Sequence, residues 1–150
     1  MNNIFKINTK AAFAFYIILD ILFVGMGMGV PFLCILFGLP VGWYLAKRFK
    51  LSERNLNDIL NSILKYALFT SIFTFLLMLI IWGPVSTLFL NPTANFVNFG
   101  MPLILYDPKI SFMGWIILMI LISPFLQLLM TIFASYMALW RLFKKKNMLK

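Results

Sequence analysis

The chain has no histidine, one cysteine and only four acidic residues among its 150 positions. Histidine is the commonest general base at neutral pH and a frequent metal ligand, so its absence argues against most hydrolytic and metal-dependent mechanisms. The single cysteine, Cys34, allows no disulfide within the chain and no zinc-binding spacing. The four acids are too scattered to form a catalytic pair: Asp20, Glu53, Asp58 and Asp107. The sequence therefore predicts a protein that is not an enzyme and that needs no metal or other cofactor.

Charge as a whole is scarce. Charged residues make up 11% of the chain, whereas 63% of the residues are hydrophobic and 17% are aromatic. Soluble domains are roughly 45–50% apolar and about 25% charged, and a soluble fold of this size could not bury so much apolar surface. The composition predicts an all-α integral membrane protein of one domain, with the lipid bilayer as its first partner.

Four apolar stretches are long enough to cross about 30 Å of hydrocarbon as helices. We place these spans near residues 11–28, 30–46, 66–83 and 112–140. No charged loop separates the first two. An unbroken helix over 11–46 would be about 54 Å long, too long for one crossing, and residues 25–31 contain three glycines and a proline that favour a break. The prediction is four transmembrane helices, the first two forming a tight hairpin.

The basic residues support this threading. With four spans, twelve of the 13 lysines and arginines lie on one side and only Lys109 on the other, whereas three spans would leave three outside. Basic loops stay in the cytoplasm during insertion, so both termini are expected in the cytoplasm. The membrane is expected to be the cytoplasmic membrane. We interpret the net charge of +9 as a result of insertion and as a contact surface for anionic lipid, not for nucleic acid. Because Asp20 interrupts the first span and no Ala-x-Ala site follows, we expect an uncleaved anchor.

Tryptophans mark the predicted ends of the spans. Trp43 and Trp140 fall at the inner ends of the second and fourth spans, and Trp82 and Trp115 at the outer ends of the third and fourth. Their amphipathic rings favour the membrane interfaces, which agrees with the four-span arrangement.

Two connections have a pattern of their own. Residues 52–65 predict an amphipathic helix in the membrane interface before the third span, since apolar side chains recur on one face: Leu56, Ile59, Leu60, Ile63 and Leu64. The outer loop, residues 84–111, is long and still apolar. It predicts either a partly re-entrant segment or a hydrophobic cover that packs over the bundle.

Asp20 is the one ionisable residue deep inside a predicted span. A charged aspartate at that depth costs about 2.5–3.5 kcal/mol, so its neutral form is favoured unless a cation or water reaches it. Counting inward from the interfaces places Thr74 and Gln127 at a similar depth. These three residues predict a polar layer at the midplane. Either the layer handles a proton or cation, or its hydrogen bonds only hold the helices together.

Gly38 and Gly42 have the Gly-x-x-x-Gly spacing that lets two helix backbones approach closely. They are predicted to pack against another helix of the chain or of a second copy.

No motif selects one function. The sequence favours a non-catalytic accessory or assembly subunit of a membrane complex, with a membrane-protein partner or as a homo-oligomer. A small oligomeric transporter or channel using the Asp20 layer is the alternative. A membrane-permeabilising protein of the holin type is a third, suggested by chain length, span number and the basic tail.

Overall fold

The computed structural model describes residues 9–25, 30–50, 55–91, 96 and 106–147, and these residues form helices and short connections without a strand. Helix α1 is Thr9–Gly25, α2 is Val30–Lys50 and α3 is Leu56–Trp82. A 3₁₀ helix follows at Pro84–Leu90. Helix α4, Pro108–Ile117, continues through a π-helical segment, Leu118–Ile122, into α5, Ser123–Asn147. The predicted turn at residues 26–29 lies outside the described residues.

Contacts between the helices fix their directions. The Tyr16 hydroxyl of α1 bonds to the Thr70 carbonyl oxygen of α3, and two turns further along both helices Val24 and Met78 lie in one core cluster, so these two helices are parallel. Along α2 and α5, contacts advance together from Pro31 with Ser123 to Lys50 with Leu142. The pair α1 and α3 runs opposite to α2 and α5, as Val24 also packs with Cys34 near the start of α2. The result is a four-helix bundle in which the start of α1 and the end of α5 lie at the same end.

Helices α2 and α5 are in backbone contact because α2 has glycine where the two cross. A Cβ atom on Gly42 would lie 2.2 Å from the Thr131 carbonyl oxygen, and one on Gly38 would lie 2.6 Å from the Gln127 carbonyl oxygen. Only glycine fits at such distances. Ser135 uses the close approach to donate a hydrogen bond to the Gly42 carbonyl oxygen at 2.9 Å.

The predicted interfacial helix and the predicted third span form one helix. Helix α3 runs without a break from Leu56 to Trp82, and residues 52–54 lie outside the described part of the chain. The apolar face of residues 56–65 also divides in two. Ile59 and Ile63 are buried against α2 and α5, while a second stripe is exposed: Leu56, Leu60 and Leu64.

At the opposite end of the bundle, the described parts of the outer loop pack over the helices. Phe89 and Phe96 stack on each other and both contact the Phe112 ring. Helix α4 then begins at Pro108, where the Asp107 carboxylate accepts hydrogen bonds from the Lys109 and Ile110 amides at 2.7 and 3.3 Å. The outer loop, residues 84–111, was predicted to be either partly re-entrant or a cover over the bundle, and its residues 92–95 and 97–105 lie outside the described residues.

Three described helices are long and apolar enough to cross a membrane, Pro31–Lys50, Leu56–Trp82 and Pro108–Lys144, and a shorter apolar helix is Ala11–Val24. Because α2 and α5 are parallel, their basic C-terminal turns lie at the same end of the bundle. Lys109 lies at the other end. The basic residues of the described helices are thus segregated as the four-span prediction expects, whereas the three long helices alone do not fix the number of crossings.

Candidate functional site

The three residues of the predicted midplane layer lie together in the core of the bundle. Asp20 of α1 and Thr74 of α3 are fully buried, and Gln127 of α5 is 1% exposed. Thr74 Oγ1 donates to Asp20 Oδ2 at 2.7 Å. Gln127 reaches both of them through a fourth side chain, because its Nε2 donates to the Tyr16 hydroxyl at 3.3 Å.

Tyr16 is the hub of this cluster, and the sequence analysis did not single it out. Its hydroxyl lies 2.8 Å from Thr74 Oγ1 and 3.4 Å from Asp20 Oδ2, and donates to the Thr70 carbonyl oxygen at 3.0 Å. Four residues separate Tyr16 from Asp20, so both side chains lie on the same face of α1. That spacing was the available signal. The Phe37 ring stacks on Tyr16 with centroids 5.4 Å apart and holds the phenol in place.

Two oxygen atoms of the cluster lack a partner among the described residues. They are Asp20 Oδ1 and the amide oxygen Gln127 Oε1, and both are inaccessible to solvent. Buried polar atoms are nearly always hydrogen-bonded in folded proteins. Both atoms are hydrogen-bond acceptors when Asp20 is ionised. Each could therefore bind a proton donor such as water, or a small cation, and Asp20 could also take up a proton.

The cluster suits both protonation states of Asp20. When the carboxylate is ionised, the Thr74 hydroxyl donates to Oδ2. When a proton sits on Oδ2, the carboxyl can donate to Thr74 Oγ1, and the Thr74 hydrogen turns to the Thr70 carbonyl oxygen 3.1 Å away. The Thr70 carbonyl oxygen already accepts the amide hydrogen of residue 74 within α3, so its second lone pair serves either the Thr74 or the Tyr16 hydroxyl. A change of protonation state therefore needs both hydroxyl groups to rotate.

The remaining buried hydroxyl groups tie helices to one another or to their own turns. Ser71 of α3 donates to the Pro124 carbonyl oxygen at 2.8 Å, and Ser123 donates to the Pro31 carbonyl oxygen at 3.4 Å. Thr131 bonds back to Gln127 within α5. Pro124 lacks an amide hydrogen and follows the π-helical segment, where the helix has widened by one residue. The polar side chains therefore act mainly as cross-links between helices.

The described residues contain no group of three or more histidine, cysteine and acidic side chains that could hold a metal ion. Comparisons with protein families, with curated proteins and with solved structures find no match to this chain. What the fold and the site define is a class: an all-helical protein with several helices apolar and long enough for a membrane, and a buried carboxyl group in its core.

Proposed function

We propose that the chain is a four-span integral membrane protein and that it acts without catalysis, as an accessory or assembly subunit of a membrane complex. Helix α1 has 17 residues, about 26 Å at 1.5 Å per residue. It runs parallel to α3, with Tyr16 level with Thr70 and Thr74 and Val24 level with Met78. At this register the last residue of α1, Gly25, is level with Leu79. Helix α1 therefore accompanies α3 over most of the predicted third span, residues 66–83, and we infer that it crosses the membrane beside α3.

The basic end of the bundle is assigned to the cytoplasm. Basic side chains that flank membrane spans are retained on that side during insertion. In this arrangement both termini are cytoplasmic, and the first turns of α3, residues 56–65, lie in the inner interface with Leu56 and Leu60 towards lipid. Trp43 and Trp140, which are 46% and 53% exposed, lie at the same end and fit an interfacial position.

The functional proposal rests on the hydrogen bonds that the buried hydroxyl groups make. They bond to neighbouring helices or to their own turns, and the Asp20 cluster is closed to solvent. A bundle tied in this way favours a fixed scaffold over a solute pathway. Its outer surface is covered by large apolar side chains on every helix, which suit lipid or another membrane protein: Phe15, Phe32, Ile80 and Phe125 are examples.

The assembly role is tested by extracting the protein from its own membrane into nanodiscs and weighing the particles by native mass spectrometry. A complex with a partner in fixed stoichiometry is expected. A lone monomer in every preparation would contradict the assembly role without affecting the four-span topology.

A transporter or channel that uses Asp20 is the second candidate, and the unpartnered atoms Asp20 Oδ1 and Gln127 Oε1 favour it. In proteoliposomes, proton- or cation-dependent flux should be abolished by Asp20→Asn, because the amide cannot gain and lose a proton. The matched control is Asp58→Asn, the same change at an exposed position of α3. Equal flux in the wild type and Asp20→Asn would remove Asp20 from any transport mechanism.

A further inference from the structure

A groove between α2 and α5 lies on the side of the bundle near its basic end. Its volume is about 370 Å³, within the range of roughly 300–1,000 Å³ typical of small-ligand sites. Two stripes of side chains form its walls. On α2 the stripe is Leu39, Trp43 and Lys47, and on α5 it is Phe133, Met137 and Arg141.

The two stripes have the same order of chemistry. Each advances by four residues at a step, which keeps its three side chains on one helix face, and each covers about 12 Å from first to last residue. Each begins with an apolar side chain and ends with a cation. Because α2 and α5 are parallel, the two apolar ends lie together and so do the two cationic ends. The groove is therefore apolar at one end and carries two positive charges at the other.

The floor of the groove is formed by small side chains. Ala134 and Ala138 lie between the stripes on α5, and the Gly42 contact with Thr131 draws the two backbones together beneath them. Trp43 and Phe133 stand out on either side, 46% and 57% exposed. The groove thus results from large residues flanking small ones, and it opens on the outer surface of the bundle, where Trp43 and Phe133 are exposed.

The cationic end is arranged for a phosphate group. Lys47 Nζ lies 3.6 Å from the centroid of the Trp43 ring, a cation–π contact that keeps the ammonium group against the wall of the groove. Arg141 is exposed and offers a planar fork of donors that matches phosphate oxygens. No acidic side chain lines the groove among the described residues. A basic site between transmembrane helices at the cytoplasmic face is suited to anionic lipid headgroups.

We propose that the groove between α2 and α5 binds an anionic phospholipid of the cytoplasmic leaflet. The acyl chain lies along Leu39, Phe133 and Met137, and the phosphate lies between Lys47 and Arg141. This proposal rests on the four-span topology proposed above, which places the groove in the inner leaflet, but not on the assembly role. The sequence of apolar and then cationic side chains along the groove favours a lipid over free phosphate. A free phosphate ion would contact only the two cations and leave the apolar half of the groove empty.

The first test measures lipid proximity by fluorescence quenching. Two single-tryptophan variants are compared in phosphatidylcholine vesicles that contain a small fraction of brominated phosphatidylglycerol. One keeps Trp43 and the other keeps Trp140, which is exposed at the same end but outside the groove. Trp43 should be quenched at a several-fold lower fraction of the brominated anionic lipid than Trp140, and brominated phosphatidylcholine should quench both alike. Identical titrations of Trp43 with the two lipids would overturn the proposal.

The second test separates the groove from general surface charge. Native mass spectrometry should show at least a fivefold weaker retention of phosphatidylglycerol in Lys47→Gln/Arg141→Gln. The control Lys65→Gln/Lys144→Gln removes the same charge from exposed positions at the same end and should change retention less than twofold. Equal losses in both variants would mean that no built site exists.

Other occupants give distinct results. Displacement of phosphatidylglycerol by millimolar inorganic phosphate would show a phosphate site and overturn the lipid proposal. A dimer whose interface is the groove, broken by Met137→Trp, would do the same in favour of a second copy. If the double variant fails to fold by circular dichroism, the quenching of Trp43 still decides, because the single-tryptophan variant keeps both Lys47 and Arg141. Lipid selectivity in these tests, combined with a lone monomer in every extract of the native membrane, would contradict only the assembly role.

Discussion

At the residue scale, the core of this protein is organised around one phenol. The Tyr16 hydroxyl connects Asp20 on its own helix with Thr74 on α3 and Gln127 on α5. In a membrane, where apolar burial does not distinguish protein from lipid, such hydrogen bonds and close packing hold helices together. Tyr16 is therefore expected to contribute more to stability than any of the single hydroxyl links around it.

The change Tyr16→Phe should lower the free energy of unfolding by about 1–2 kcal/mol, near the upper end for hydrogen bonds between transmembrane helices. The phenyl ring keeps its stacking on Phe37, but Gln127 Nε2 loses its acceptor and Thr74 loses a neighbour. Unfolding by dodecyl sulfate in mixed micelles, followed by circular dichroism, measures the loss. Tyr136→Phe, at an exposed position of α5, should change stability by a few tenths of a kcal/mol at most. Equal effects of the two variants would contradict the role given to Tyr16.

Depth along the predicted spans was enough to place Asp20, Thr74 and Gln127 in one layer, because helical rise converts sequence position into height. It could not identify Tyr16. A tyrosine in an apolar helix is as compatible with a lipid-facing position as with a buried one, and only the neighbouring helices decide. The rotation of α1 about its axis, which turns Tyr16 and Asp20 inward, depends on contacts that no single sequence displays.

At the element scale, the contact between α2 and α5 depends on glycine. The spacing of Gly38 and Gly42 predicted a close approach to some helix, within the chain or in a second copy, and the structure places both against α5. The partner could not be read from the pattern, since Gly-x-x-x-Gly specifies a flat surface and not what covers it. The division of residues 56–65 into a buried and an exposed stripe could not be predicted either, because the apolar pattern does not show which side chains another helix covers.

The change Gly42→Ala should destabilise the bundle by about 1–3 kcal/mol, the usual range for inserting a methyl group into a packed interface. Its Cβ would lie 2.2 Å from the Thr131 carbonyl oxygen, so one backbone must move.

Gly114→Ala is the matched control, because a Cβ at that position of α4 would have no atom within 4 Å apart from its chain neighbours and the backbone of its own helix. Alanine has the higher helix propensity, so this control should be neutral or more stable by up to about 1 kcal/mol. The same unfolding assay compares the two variants. Loss of stability in Gly114→Ala but not in Gly42→Ala would refute the packing assigned to α2 and α5.

At the scale of the whole molecule, the basic residues of the described helices are concentrated at one end of the bundle. The basic C-terminal turns of α2 and α5 lie at one end, and Lys109 lies at the other. Composition and charge bias predicted the membrane class and the segregation of charge, because bilayer insertion acts on these bulk properties. Helix α1 is the weak point of prediction from sequence, since at 17 residues it is near the shortest length that crosses a bilayer.

Thiol labelling of single cysteines tests whether the chain crosses the membrane four times with its basic ends in the cytoplasm. Single cysteines are introduced into a Cys34→Ala background by Asn3→Cys, Asn57→Cys, Lys109→Cys and Asn147→Cys, one per variant. Intact cells are then treated with a membrane-impermeant maleimide. Only the cysteine at position 109 should react, and the other three should react after permeabilisation. Labelling of position 3 in intact cells, together with protection of position 147, would show an odd number of crossings and contradict the four-span topology.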